Sequence, residues 1–154
     1  LLASSAASDV YKRQEFTEAD AVIMAAAVAD YRLPTVSDHK LKKTDATSGL
    51  TLNLVQNPDI LASLGRKKTH QILIGFAAET NDLLKNAQLK LTKKNADMIV
   101  ANHVDATHGF NADTNAVTLL RPEQAPVTLP EMPKPKVAAA LIEQLATMLA
   151  KQKG

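Results

Sequence analysis

Three short apolar runs constrain this chain most: Ala21–Ala26, Gln71–Ala78 and Ala96–Asn102. None has the three-to-four-residue spacing of an amphipathic helix, and all are too short for a buried helix. A uniformly apolar run must be covered on both faces, which is the condition of a strand in a parallel sheet with helices on either side. Helical patterns stand where that arrangement needs them. Leu83, Ala87 and Leu91 form one stripe from Asp82 to about Asn95, and Val137, Leu141, Leu145 and Leu149 form another from Val137 to Lys151, after Pro135. The expectation is an α/β protein with a Rossmann-like, mostly parallel sheet flanked by helices. Ala21–Ala26 is expected to be a central strand.

The other segments are read more locally. Leu50, Leu52 and Leu54 alternate with Thr51 and Asn53, which predicts a strand with one buried face, ending at Gln56. Asn57-Pro58-Asp59-Ile60 reads as a helix start, with Asn57 as N-cap and Pro58 in the first helical position. Asn115–Leu120 alternates as an edge strand, and Arg121–Pro135 is a proline-studded connector. Residues 1–14 show neither period and no signal-peptide core, so they are expected to be a non-native leader, with residues 15–154 as the domain. Glu15–Ala19 is expected to be the last turn of a helix feeding the first strand.

Composition excludes several functions. The 154 residues contain no cysteine, so disulfides, thiol nucleophiles and thiolate metal sites are ruled out. The four histidines, His39, His70, His103 and His108, form no HxxxH or HExxH pair, and no metal site is predicted from them. A net charge of +2 and an aromatic content of 3% argue against nucleic acid as partner. No apolar run approaches the ~20 residues of a membrane span. Neither GxGxxG nor GxxxxGK[ST] occurs, so the common dinucleotide and Walker phosphate loops are missing.

Ligands of open α/β sheets bind beyond the carboxyl ends of the strands. Ala25, Ala26, Ala27 and Asp30 fall there; they suit a flat ring near the backbone and a ribose diol on Asp30, or close packing and a capped turn. Lys40, Lys42 and Lys43 follow on a loop, since Pro34, Ser37 and Asp38 disfavour helix. They could close over an anion or lie solvated. The Asn57–Ile60 terminus offers amides to an anion or merely caps a helix. Phe76 is core or a surface for a base. Lys90 and Lys94 complement a helix C-terminus or contact phosphate.

The segments AAAVADYR, KLKK, NPDIL, GFAAET, the lysine-bearing helix before DMIVAN, and GFNADTNAVTL stand in an order that resembles the C-terminal part of bacterial phosphopantothenate–cysteine ligase. This enzyme is usually fused to a flavin-dependent decarboxylase in coenzyme A synthesis. The likeness covers about residues 15–150. It implies a cytoplasmic homodimer that uses CTP and Mg²⁺ to activate 4′-phosphopantothenate as an acyl-cytidylate, which L-cysteine attacks. By motif match it implies CTP contacts from Met24, Ala25, Ala26, Ala27, Asp30, Lys40, Pro58, Asp59, Ile60, Leu61, Phe76, Lys90 and Lys94, with Lys40 the catalytic lysine of a protruding flap. No metal-ligating residue is implied in this chain, and FMN belongs to the fused decarboxylase. The family's glycine-rich N-terminal segment has no counterpart here, so the N-terminal part of the fold is expected to be missing and turnover by this chain alone is not expected. The competing expectations are a non-catalytic nucleotide-binding or dimerisation module and, more weakly, a nicotinamide-dependent reductase.

Overall fold

The structure, a computed structural model, describes residues 16–26, 28–35, 39, 50–103 and 113–152. The chain divides into two compact units, Leu1–Ala26 with Ile60–Gly154, and Ala27–Asp59.

The larger unit holds strands β1 (Ala21–Met24), β4 (Ile72–Glu79), β5 (Met98–His103), β6 (Thr114–Leu120) and β7 (Val127–Pro133), and helices α1 (Ile60–Lys67), α2 (Leu83–Lys93) and α3 (Lys134–Gln152). Its sheet has the order β1-β4-β5-β6-β7. β1, β4 and β5 are mutually parallel, with Met24 opposite Gly75 and Phe76 opposite Val100, whereas β6 runs antiparallel to both β5 and β7. This is the expected α/β architecture, parallel where helices make the crossovers and antiparallel at the far side, where no crossover is needed.

Alternation along each strand sorts the core into two layers. Ile72 and Ile74 of β4, Met98 and Val100 of β5, and Val117 and Leu119 of β6 pack against Val137 and Leu141 of α3, with Phe76, Leu145, Met148 and Leu149 at the margin. On the other face, Ala77, Ile99, Ala101 and Leu120 meet Ala87 and Leu91 of α2, and Leu73 meets Leu64 of α1 and Phe16. Gly65 of α1 lies against the C-terminal end of α2: a Cβ there would lie 1.7 Å from the Lys94 carbonyl oxygen. Asp97 fixes the start of β5, since its Oδ2 accepts the buried Leu73 N–H at 2.7 Å and its Oδ1 takes Lys68 Nζ at 2.6 Å.

β1 pairs with β4 among the described residues, and Ile23 is 37% exposed. Three expectations are corrected. β6, expected at the edge, is interior, because the Arg121–Pro135 connector contains β7. Pro130 and Pro133 are tolerated in β7 because an edge strand can turn a missing N–H outward. The strand expected over Leu50–Gln56 shrinks to Val55–Gln56, with Leu50, Leu52 and Leu54 all more than half exposed. Finally, α1 begins at Ile60, so Pro58 precedes the helix and Asn57 is not its cap. For Glu15–Ala19, the described part from Phe16 is a turn closed by Ala19 N–H donating to the Phe16 carbonyl at 3.4 Å.

The smaller unit contains a two-stranded antiparallel sheet, β2 (Tyr31–Arg32) with β3 (Val55–Gln56), pairing Tyr31 with Gln56 and Arg32 with Val55. Leu33, Leu50, Leu52 and Leu54 of the same unit lie outside these strands and are exposed. The basic segment with Lys40, Lys42 and Lys43 lies outside the described residues.

Candidate functional site

Within the larger unit, the carboxyl ends of the parallel strands β1, β4 and β5 carry small or polar side chains: Ala25 and Ala26 just beyond β1, Ala78 and Glu79 on β4, Asn102 on β5. Ala78 stands opposite Asn102 across the β4–β5 pair. The alanines among them leave backbone groups approachable where such sheets bind ligands. Beneath this rim, Leu61 of α1 covers Gly75: a Cβ on Gly75 would come within 2.5 Å of Leu61 Cδ2. Met24, Ile60 and Leu61 pack around the same small cluster of Leu64 and Leu73, so three of the expected nucleotide contacts share one neighbourhood.

Phe76 takes the other face of the sheet. It is half-buried against the layer under α3, while its neighbour Gly75 meets Leu61. Leu61 and Phe76 therefore flank β4 from opposite sides.

Lys90 is held rather than loose. Its Nζ pairs with Glu79 Oε1 at 2.7 Å, and Glu79 Oε2 accepts from Asn86 Nδ2 at 3.2 Å, which in turn donates to the Asn81 carbonyl at 3.0 Å. Asn86 and Lys90 stand one helical turn apart on α2, so one face of the helix delivers an amide and an ammonium to the same carboxylate. Sequence reasoning missed Glu79 and Asn86. The i, i+4 spacing of Asn86 and Lys90 was readable, but the fold alone brings Glu79 to them. Lys94 ends α2, its backbone N–H donating to the Lys90 carbonyl at 2.9 Å.

The expected contacts Asp30, Pro58 and Asp59 belong to the smaller unit. There Asn57 ties the turn after Ala29: its backbone N–H donates to the Asp30 carbonyl at 2.7 Å and its Nδ2 to the Ala29 carbonyl at 2.6 Å. Arg32 Nη1 donates to Asn57 Oδ1 at 3.0 Å and to the Gln56 carbonyl at 3.1 Å. Ala27 and Lys40 lie outside the described residues. No group of three or more His, Asp or Glu side chains able to hold a metal occurs among the described residues. No described helix is long and apolar enough to cross a membrane.

Two cavities open at the opposite, amino-terminal ends of the strands. One of about 270 Å³ is lined by Asp97, Arg121, Met148 and Lys151, and one of about 260 Å³ by Phe16, Leu64, Lys67 and Gln71. Neither contains an expected site residue.

The sequence matches the family described as DNA/pantothenate metabolism flavoprotein C-terminal domain over residues 3–149. It is 48% identical over 140 residues to the Coenzyme A biosynthesis bifunctional protein CoaBC of Bacillus subtilis (strain 168), an alignment covering 90% of this chain and 34% of that protein. Among solved structures, the C-terminal domain of Coenzyme A biosynthesis bifunctional protein CoaBC superposes with a TM-score of 0.74 at 34% identity, covering 96% of this chain and 63% of that one. A Cab2 mutant in complex with phosphopantothenate-cysteine has the same fold, with a TM-score of 0.64 at 22% identity over 83% of this chain and 43% of that one. The chain thus spans about a third of the length of its curated CoaBC relatives. With five ordered strands, their helices and nearly the full length matched, this chain belongs to the family of the DNA/pantothenate metabolism flavoprotein C-terminal domain.

Proposed function

We propose that this chain supplies the nucleotide-binding half of a CTP-dependent phosphopantothenate–cysteine ligase in coenzyme A biosynthesis. The observation that carries the reading is a rim of small and polar residues at the ends of three parallel strands, in a chain 48% identical to a coenzyme A biosynthesis protein. In this reading, Met24, Ala25, Ala26 and Ala27 receive the cytosine, Asp30 the ribose, and the Pro58–Leu61 segment with Lys90 and Lys94 the triphosphate. Phe76 backs the base, and Lys40 reaches the reacting phosphate.

The chemistry explains why lysines are needed. A carboxylate oxygen of 4′-phosphopantothenate attacks the α-phosphorus of CTP and pyrophosphate leaves; the cysteine amine then attacks the acyl carbon and CMP leaves. Both reactants of the first step are anions, so cationic groups must stand where charge builds. A lysine is a compact charge on a long stem, suited to reach in from a flap. The Glu79–Lys90–Asn86 arrangement supports an oriented ammonium on α2. Mg²⁺ takes most of its ligands from phosphates and water, so it would arrive with the triphosphate and offset its charge. The enzyme is expected to act as a cytoplasmic homodimer.

The test uses the chain fused behind the upstream part of the Bacillus subtilis relative. Calorimetric titration should show CTP bound more tightly than ATP or NADH, with product formed only when 4′-phosphopantothenate and cysteine are both present. Equal affinity for ATP and CTP would sink the nucleotide assignment. CTP binding without turnover would instead identify a non-catalytic nucleotide-binding module.

A further inference from the structure

Asn57 does a job that only an amide can do. Its Nδ2 must donate to the Ala29 carbonyl while its Oδ1 accepts from Arg32, and its own N–H takes the Asp30 carbonyl. Two successive carbonyls, those of Ala29 and Asp30, are thereby committed to one residue 28 and 27 positions later in the chain. Fixing both peptide planes fixes the direction in which the Asp30 side chain leaves the backbone. Arg32 braces the arrangement from the β2–β3 ladder, bonding the Asn57 side chain and the Gln56 carbonyl together. The Asp30 carboxylate itself has no hydrogen-bond or ion-pair partner among the described residues, and the residue is exposed. A rigidly mounted backbone carrying an uncommitted acceptor is the geometry of a pre-organised binding group: the ordering cost is met before the ligand arrives.

We propose that Asn57 and Arg32 are positioning residues which aim the Asp30 carboxylate at the vicinal hydroxyls of a ribonucleotide, so that this clamp sets the preference for ribose over deoxyribose. The inference rests on the nucleotide reading above, in which Asp30 is the ribose contact. Sequence alone could not show it, since Asn57 beside Pro58 reads as a helix cap.

The test measures dissociation constants of the same fusion protein for CTP and 2′-deoxyCTP by calorimetry, together with melting temperatures. The unmodified protein should prefer CTP by about tenfold or more, the worth of one or two hydrogen bonds to a charged group. Asp30→Asn should bring the ratio close to one. Asn57→Asp keeps the shape and the Arg32 contact but cannot donate to the Ala29 carbonyl; it should weaken CTP about tenfold and leave 2′-deoxyCTP nearly unchanged. Arg32→Met should act in the same direction with Asn57's own donations intact, and so carries the test if Asn57→Asp fails to fold. If Asp30→Asn collapses the ratio while Asn57→Asp and Arg32→Met weaken both nucleotides equally, or shift only the melting temperature, the positioning role is overturned and Asp30 keeps its role. If Asp30→Asn leaves the ratio untouched, the ribose assignment itself is wrong.

Discussion

Gly65 and Gly75 both lack a side chain for want of space, yet what fills that space differs. At Gly65 the obstacle is the Lys94 carbonyl oxygen at 1.7 Å, a backbone atom at the end of α2 that also neighbours the Asn95 amide, whose Nδ2 donates to the Gly65 carbonyl at 2.8 Å. At Gly75 it is Leu61 Cδ2 at 2.5 Å, the end of a side chain that can rotate. Gly65→Ala should therefore destabilise by about 1–3 kcal/mol or more, as overpacking does when backbone must move, and Gly75→Ala by less. Thermal unfolding of the two variants ranks them; a larger loss at Gly75 would contradict this account. Asp97 offers a second residue-level test. Leu73 is fully buried, so Asp97→Ala orphans its N–H and should cost about 1–3 kcal/mol in urea unfolding. Asp97→Asn retains an acceptor and should cost less; equal losses would mean that the hydrogen bond is not what matters.

At the scale of elements, α3 shows how far periodicity carries. Its stripe was legible because every third or fourth residue is apolar, and Val137 and Leu141 are buried against the sheet as that spacing demands. Ile142, one residue on, is 56% exposed. Leu141→Ala should lose about 2–5 kcal/mol through lost burial and an unfilled cavity, whereas Ile142→Ala should stay within about 0.5 kcal/mol. Chemical denaturation of the pair decides whether the helix docks by the stated face. α2 was equally legible as a helix, and Lys90 was singled out on it, but the partner of Lys90 was not legible. The ammonium of Lys90 meets a carboxylate contributed by β4. β7 was illegible for a different reason: prolines argue against strands in general, and only knowledge that the strand lies at an edge removes the objection.

For the molecule as a whole, the proposed reaction asks Lys40 to act on the phosphate of a bound nucleotide. In the fusion protein, Lys40→Gln should lower kcat by about 100-fold or more, because the proposed transition-state contact is lost, while leaving the melting temperature almost unchanged. Near-normal kcat would remove Lys40 from the chemistry. What the sequence by itself determined was local: the spans of β4, β5, α2 and α3, the α/β class, and the family, since apolar periodicity and short motifs are properties of neighbouring residues. The order of the described strands was decided only by tertiary structure, which put β6 inside the sheet with β7 beside it. So were the pairing of Glu79 with Lys90, the contact of Gly65 with Lys94, and the conversion of Asn57 from a presumed helix cap into a clamp on Ala29 and Asp30. Each joins residues 11 to 29 positions apart, and no local pattern encodes which distant group will satisfy a given donor once the chain has packed.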